Sequence, residues 1–167
     1  LGHKLHYHLR MNAYLAYHDY LTKAYNRRFF EEEFARKKIA KNFPLTIILG
    51  DINGFKMFND SFGHVEGDKV LLEFSNKIQS LVGAEDVFCR IGGDEFAIIV
   101  AGKKEKEIKS YVDSIEKNVN ASKEFADRRR LSISFGYGIQ ENEYESLDDL
   151  LTEAETFMYS KKYYNKQ

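Results

Sequence analysis

Apolar residues along this chain recur with helical spacing in some stretches and as short strand-like runs in others, and the pattern changes at turn-forming residues. Over 1–17, Leu1, Leu5, Leu9, Leu15 and Ala16 fall at near-helical spacing and predict an amphipathic helix. At about two heptads it is too short to argue a coiled coil. Residues 26–41 set Phe29, Phe30, Phe34 and Ile39 among Arg, Lys and Glu, a second amphipathic helix. Pro44 closes it, because proline disfavours helix in the residue before it. The run LTIILGDI at 45–52 reads as a buried strand ending in an acid. Helices are then predicted over 66–82, 104–120 and 146–164, with strands at VFCRI, EFAIIVA and LSISFGYGI between them.

After the leading helix the resulting order is helix, strand, helix, strand, strand, helix, strand, helix. Its β-α-β-β-α-β core suits an α+β fold of the ferredoxin-like split type, a mostly antiparallel sheet with helices on one face. No repeat, low-complexity tract or Pro/Gly/Ser linker interrupts it, so a linking helix at 1–18 is expected to lead into one domain at 19–167. The length of 167 residues and hydrophobic content of 43% agree with a domain able to bury a core. With 25 basic and 26 acidic residues the formal charge is -1. Composition therefore implies no general attraction to nucleic acid or an anionic membrane, and any polyanion must be bound locally. The single cysteine, Cys89, cannot form an internal disulfide, which fits a reducing compartment and predicts a cytoplasmic location. No apolar run approaches the roughly 18 residues of a membrane span. A chain that begins at Leu1 and not at methionine is expected to be cut from something longer, with an upstream sensor or a membrane anchor in the missing part. His3, His6 and His8 read as surface residues of a solvated helix in preference to a metal cluster.

IGGDEFAII at 91–99 sets two glycines and two adjacent acids between apolar runs. Taken alone it is a tight turn, with Asp94 and Glu95 solvated beside glycines that tolerate positive φ. In a split βαββαβ arrangement, however, the first strand neighbours the central hairpin, so Asp51 is expected beside Asp94 and Glu95. Crowded carboxylates have raised pKa values unless a cation neutralises them. Oxygen-only ligands favour magnesium or manganese, held by carboxylates together with substrate phosphates. The stretch DINGFKMFNDSFGHVEGD at 51–68 supplies matching parts. Gly54 permits close backbone approach to a phosphate, Lys56 offers a point charge, and Asn59 and Asp68 can read a base edge. A carboxylate that accepts from N1-H and N2-H2, with an amide that donates to a ring acceptor, suits guanine. Adenine has no such donor pair.

Six blocks in order resemble the GGDEF family of diguanylate cyclases: DYLTKAYNRRFF at 19–30, DINGFKMFND at 51–60, FGHVEGD at 62–68, RIGGDEFAIIV at 90–100, SISFGYG at 132–138 and EAETFMYSKKYYNK at 153–166. The likeness covers nearly everything after residue 18. It implies a palm-type, nucleotide-cyclase-like form of the fold behind an N-terminal signalling helix. It also implies the output domain of a bacterial second-messenger protein, which condenses two GTP into cyclic di-GMP and releases two pyrophosphates. Each domain would bind one GTP, and a transient homodimer would bring each 3'-hydroxyl to the other nucleotide's α-phosphate. By position, Asp51, the backbone carbonyl of Ile52, Asp94 and Glu95 match ligands of two magnesium (or manganese) ions per GTP site. Asp94 also matches the catalytic proton acceptor, with Glu95 the second catalytic carboxylate. Asn59, His64 and Asp68 match guanine and ribose contacts; Gly54, Phe55, Lys56, Lys162 and Lys166 match phosphate contacts. Resembling enzymes that make mixed purine dinucleotides tend to carry a small hydroxyl residue at the position of Asp68, so the resemblance favours cyclic di-GMP.

Departures from the family pattern concern regulation more than chemistry. The common Arg-x-x-Asp inhibitory product site is represented by Gly83-Ala84-Glu85-Asp86: Asp86 is retained, but Gly83 stands where arginine is expected. Without a bidentate guanidinium, weak or no product inhibition is expected. Asn53 stands at a frequent aspartate position and is expected to face Arg90; Lys23 and Asn165 replace common glycines, and Lys166 an arginine. Phe55, Phe58, Phe62 and Phe96 read as core packing before base stacking, and DRRRL at 127–131 as a solvated loop. Two competing readings are a catalytically weak GGDEF domain acting as a GTP-binding regulatory or interaction module, and a polymerase-like or adenylyl cyclase-like palm. Asn59 with Asp68 suits the latter less well.

Overall fold

The strand Leu45–Asn53 (β1) is buried from Leu45 to Gly50 and again at Ile52, so both of its faces need cover. In the computed structural model, which describes residues 1–122 and 131–164, β1 lies inside a four-stranded sheet. The other strands are Val87–Arg90 (β2), Glu95–Ala101 (β3) and Ser132–Gln140 (β4), in the order β2-β3-β1-β4, and every pair is antiparallel. Alternation along β1 and β3 divides the apolar residues between two cores. Ile48, Ile52, Phe96, Ile98 and Val100 pack with helices Phe55–Phe62 (α3), His64–Leu81 (α4) and Glu105–Asn120 (α5). Leu45, Ile47, Leu49, Ala97 and Ile99 pack with helices Arg27–Ile39 (α2) and Leu147–Tyr164 (α6). The α+β class and the βαββαβ order are as expected, but the helices cover both sheet faces and not one. The cause lies in β1 and β3, whose odd and even positions are both apolar, so neither face can be left to water.

Local sequence explains how the elements bounding the site begin and dock. Asn26 caps α2 by accepting from the Phe29 amide at 3.0 Å, and the Ser146 hydroxyl accepts from the Asp149 amide at 3.0 Å at the start of α6. The helix α3 was not anticipated: its eight residues are too few for periodicity to separate from the flanking loop motif. The long helix α6 presses closely on β4 because Gly136 and Gly138 carry no side chain. A Cβ on Gly136 would stand 2.8 Å from the Met158 Cα, and one on Gly138 2.8 Å from the Leu150 carbonyl oxygen.

The N-terminal helix Gly2–Tyr17 (α1) buries none of its residues, and His3, His6 and His8 are exposed on it. A run of aromatic contacts ties its end to the domain: Tyr14 stacks on His18 with centroids 3.8 Å apart, His18 meets Tyr25 at 4.8 Å, and Tyr25 stacks on Phe29 at 3.8 Å. Lys23 has a φ of 64°, the left-handed conformation that glycine adopts most readily, in keeping with its replacing a glycine. Cys89 is fully buried; burial, then the charge of Glu33, pushes its thiol up to about 12, leaving it unreactive at neutral pH. No helix among the described residues is long and apolar enough to cross a membrane. Lys166, Asn165 and most of the DRRRL run (127–130) lie outside the described residues.

Candidate active site

Strand register gathers the acids at the end of β1. Asp51 is paired with Glu95 across β3 on one side and with Ser134 across β4 on the other, on the sheet face that α6 covers. The Ile52 amide donates to the Asp94 carbonyl at 3.3 Å, and the Ile91 amide to the Glu95 carbonyl at 3.0 Å, which holds the glycine turn against β1. Arg90 clamps that turn by donating from Nε and Nη2 to the Gly93 carbonyl at 3.0 and 2.7 Å. Its Nη1 donates to both Asp19 carboxylate oxygens at 3.1 and 3.0 Å. Burial alone would raise the Asp19 carboxyl, but hydrogen bonds from Thr22 and then Arg90 outweigh it and hold it below its ordinary value.

Asn53 does not face Arg90. Its Nδ2 donates to the Ser132 and Ser134 hydroxyls, both at 2.9 Å. Sheet order is the reason: β4 flanks β1 directly, whereas Arg90 ends β2, separated from β1 by β3.

These elements enclose a cleft of about 460 Å³ lined by Asp51, Ile52, Asn53, Gly54, Phe55, Lys56, Asp94 and Lys162, among others. Gly54, with a φ of 75°, turns the chain from β1 into α3, whose N-terminus no side chain caps. Free amides at such a turn suit an anion. Phe55 is buried in the core, so its part in the cleft is its backbone, while Lys56 is exposed. Phe58 and Phe96 are likewise buried, and Phe62 is partly buried against the same core, as expected of packing residues.

Charge in the cleft is poorly balanced. The Asp94 carboxyl is pushed up to about 7, first by burial and then by the hydrogen bond and charge of Asp51. Glu95 is raised by burial, then by Asp51 and Glu155, with Arg27 and Lys162 opposing. From the end of α6, Lys162 Nζ donates to Asp51 Oδ2 at 2.7 Å and sits 5.6 Å from the Tyr159 ring centroid. The other Asp51 oxygen, Oδ1, is buried without a hydrogen-bond partner among the described residues. Burial, then the charges of Asp51, Glu155, Glu95 and Asp94, raises the Tyr159 phenol, placing it at the rim of the same cluster. Tyr159, Glu155, Ser132, Ser134 and the Asp19–Arg90 pair are parts that sequence reasoning missed. The spacing of Tyr159 and Lys162, one helical turn apart, is the signal that could have found Tyr159.

The donor set fits a divalent cation. Asp51 offers a buried unpaired oxygen, Asp94 holds a proton that a cation would displace, and all the candidate side-chain ligands are oxygens. Three acidic side chains do not converge on one point among the described residues. Asp51 and Asp94 form the close pair, while Glu95 folds back so that its Oε2 lies 3.0 Å from where a Gly92 Cβ would stand. Asn59 lies on α3, with its side-chain oxygen buried and unpartnered among the described residues; His64 and Asp68 are exposed at the start of α4.

The family model described as "Diguanylate cyclase, GGDEF domain" matches residues 16–167. The chain belongs to the GGDEF family. This GGDEF domain is 33% identical over 150 residues to "Probable diguanylate cyclase DgcF" of Escherichia coli O157:H7, covering 86% of this chain and 32% of that protein. It is 28% identical over 152 residues to "Bifunctional diguanylate cyclase/cyclic di-GMP phosphodiesterase MucR" of Pseudomonas aeruginosa, covering 89% of this chain and 22% of that one. The chain thus spans a third or less of the length of either relative. Among solved structures it is similar to the coiled coil and GGDEF domain of DgcB from Caulobacter crescentus in complex with c-di-GMP. The TM-score there is 0.84 at 25% identity, over 96% of this chain and 88% of that one.

Away from the cleft, the segment from Gly83 to Asp86 is tied to α5 through Tyr111. The Tyr111 hydroxyl donates to Asp86 Oδ2 at 2.8 Å and accepts from the Gly83 amide at 2.9 Å. Burial, then the nearby Asp86, raises the phenol strongly.

Proposed function

We propose that this domain is an active diguanylate cyclase, a magnesium- or manganese-dependent nucleotidyltransferase that condenses two GTP into cyclic di-GMP. The observation that carries this reading is the juxtaposition of an Asp51 oxygen, buried and unpaired among the described residues, with an Asp94 carboxyl held at about 7, beside a helix start that no described side chain caps. Asp51, Asp94 and the Ile52 carbonyl would hold the cations, with Glu95 completing the set. The bound cations, two per GTP site, supply neutralisation of phosphate charge and acidification of the 3'-hydroxyl. The backbone of Gly54, Phe55 and Lys56 binds phosphate, aided by the Lys56 and Lys162 ammonium groups; Lys166 is assigned the same role by position. Lys162 changes partner on loading, from Asp51 to phosphate. Asp94 takes the proton from the attacking hydroxyl, and Asn59, Asp68 and His64 orient guanosine.

Each domain contributes half of the chemistry, so a transient homodimer is required. We assign 19–167 to the cyclase domain and 1–18 to a helix that transmits a signal from an upstream sensor domain, acting in the cytoplasm. The test is product formation from GTP with magnesium at high protein concentration, resolved by chromatography and mass, with ATP in parallel. Cyclic di-GMP accumulating past one turnover supports the reading. GTP binding without product replaces it with a nucleotide-binding regulatory module.

A further inference from the structure

We propose that Gly67 seats the Asn59 side chain for guanine selection, so that base specificity depends on a missing side chain in α4. The inference rests on the GTP reading above and adds a residue to it. Gly67 is buried within α4, where glycine weakens a helix relative to alanine. Backbone conformation does not require it, since the described glycines with positive φ are Gly54, Gly63 and Gly102. Space does. A Cβ on Gly67 would overlap the Asn59 side-chain oxygen outright and stand 2.9 Å from its Cγ. The Asn59 backbone has little room to retreat, because its carbonyl accepts from the Gly63 amide at 2.7 Å. Gly67 is tied to the same corner through its amide, which donates to the Gly63 carbonyl at 3.1 Å.

The amide so held has an oxygen that is buried and without a partner among the described residues, and Asp68 follows Gly67 directly. Leaving a buried acceptor unmet is unfavourable, so the amide gains from a small turn that presents it to a donor from outside, a turn for which the bare Gly67 leaves room. Guanine presents N2-H2 beside N3, a donor and an acceptor that match one side-chain amide, while N1-H and the second N2 hydrogen face a carboxylate. Adenine has a carbon-bound hydrogen where N2 would be. Hypoxanthine keeps N1-H and N3 and lacks the N2 amine, so comparing GTP with ITP reads the two N2 contacts together, and Asn59→Ala separates the one assigned to Asn59.

Binding of non-hydrolysable GTP, ITP and ATP analogues with magnesium is measured by calorimetry for the parent domain, Gly67→Ala and Asn59→Ala. The parent should prefer the GTP to the ITP analogue by roughly tenfold or more. Gly67→Ala should shrink that ratio, as Asn59→Ala should, with GTP affinity falling more than ITP affinity because ITP loses only the N3 contact. A general structural defect would weaken both ligands and leave the ratio intact, and an unchanged ratio overturns the proposal. A parent that binds the GTP and ATP analogues equally overturns the guanine reading itself, a separate failure. Melting temperature gives a ligand-free check: Gly67→Ala should destabilise the parent but stabilise the Asn59→Ala background, where the overlap is gone and alanine is the better helix former. Loss of folding in the parent with recovery in that background counts as the same result; shifts of one sign in both overturn it.

Discussion

The cleft at the end of β1 and the corner formed by Gly83, Asp86 and Tyr111 are both built around an aspartate, and they treat it in opposite ways. At the corner, the Asp86 carboxylate and the Gly83 amide meet on one phenolic hydroxyl, so the polar groups are satisfied internally. In the cleft, one Asp51 oxygen has no described partner, the Asp94 carboxyl is raised to about 7 and no described side chain caps the start of α3. Unmet hydrogen-bonding capacity marks the cleft as a place awaiting a guest, whereas at the corner Tyr111 already occupies Asp86 Oδ2 and the Gly83 amide.

The harshest way to break the contrast is to remove the cleft's central acid. Asp94→Ala should lower cyclic di-GMP formation by about a thousandfold or more, with circular dichroism unchanged. Next comes Lys162→Met, which deletes the ammonium that covers Asp51. Turnover should fall roughly tenfold for want of a phosphate contact. Nucleotide-free manganese, followed by electron paramagnetic resonance, should bind more tightly because Asp51 is no longer engaged.

A smaller effect tests the charge imbalance through pH. The folded Asp94 value lies above its unfolded one, so its contribution favours folding at low pH and is lost as pH rises towards about 7. The metal-free parent should therefore lose melting temperature relative to Asp94→Asn between about pH 4 and 7, and magnesium or manganese should close the gap. The smallest change is at the corner, where Tyr111→Phe should cost about 1 kcal/mol in urea denaturation. Parent turnover should not slow as cyclic di-GMP accumulates. Gly83→Arg alone should leave that behaviour unchanged, since its Cβ would stand 2.8 Å from the engaged Asp86 Oδ2. Gly83→Arg combined with Tyr111→Phe frees the carboxylate and should introduce product inhibition.

The strands, five of the helices and the meeting of Asp51 with Asp94 were legible because each depends on local pattern or on the pairing of β1 with β3. Side-chain partners far apart in sequence were not. Lys162 reaches Asp51 across 111 residues, and Arg90 reaches Asp19 across 71, distances at which periodicity carries no information. The assignment of Asn53 to Arg90 failed for that reason: a family position that is often aspartate suggested the pair, and sheet order separated them. The short α3 escaped because its residues served equally well as a binding loop.

Where the backbone of α6 rests directly on β4, no layer of side chains lies between them to absorb error. That contact acts as a ruler, fixing how far along the sheet the last turns of α6 extend. A methyl group at Gly136 would lift the helix and shift its end, so the placement of Lys162 beside Asp51 depends on thickness tolerances set elsewhere in the protein. Sequence drift at Gly136 and Gly138 is thereby constrained by a cleft that neither residue lines.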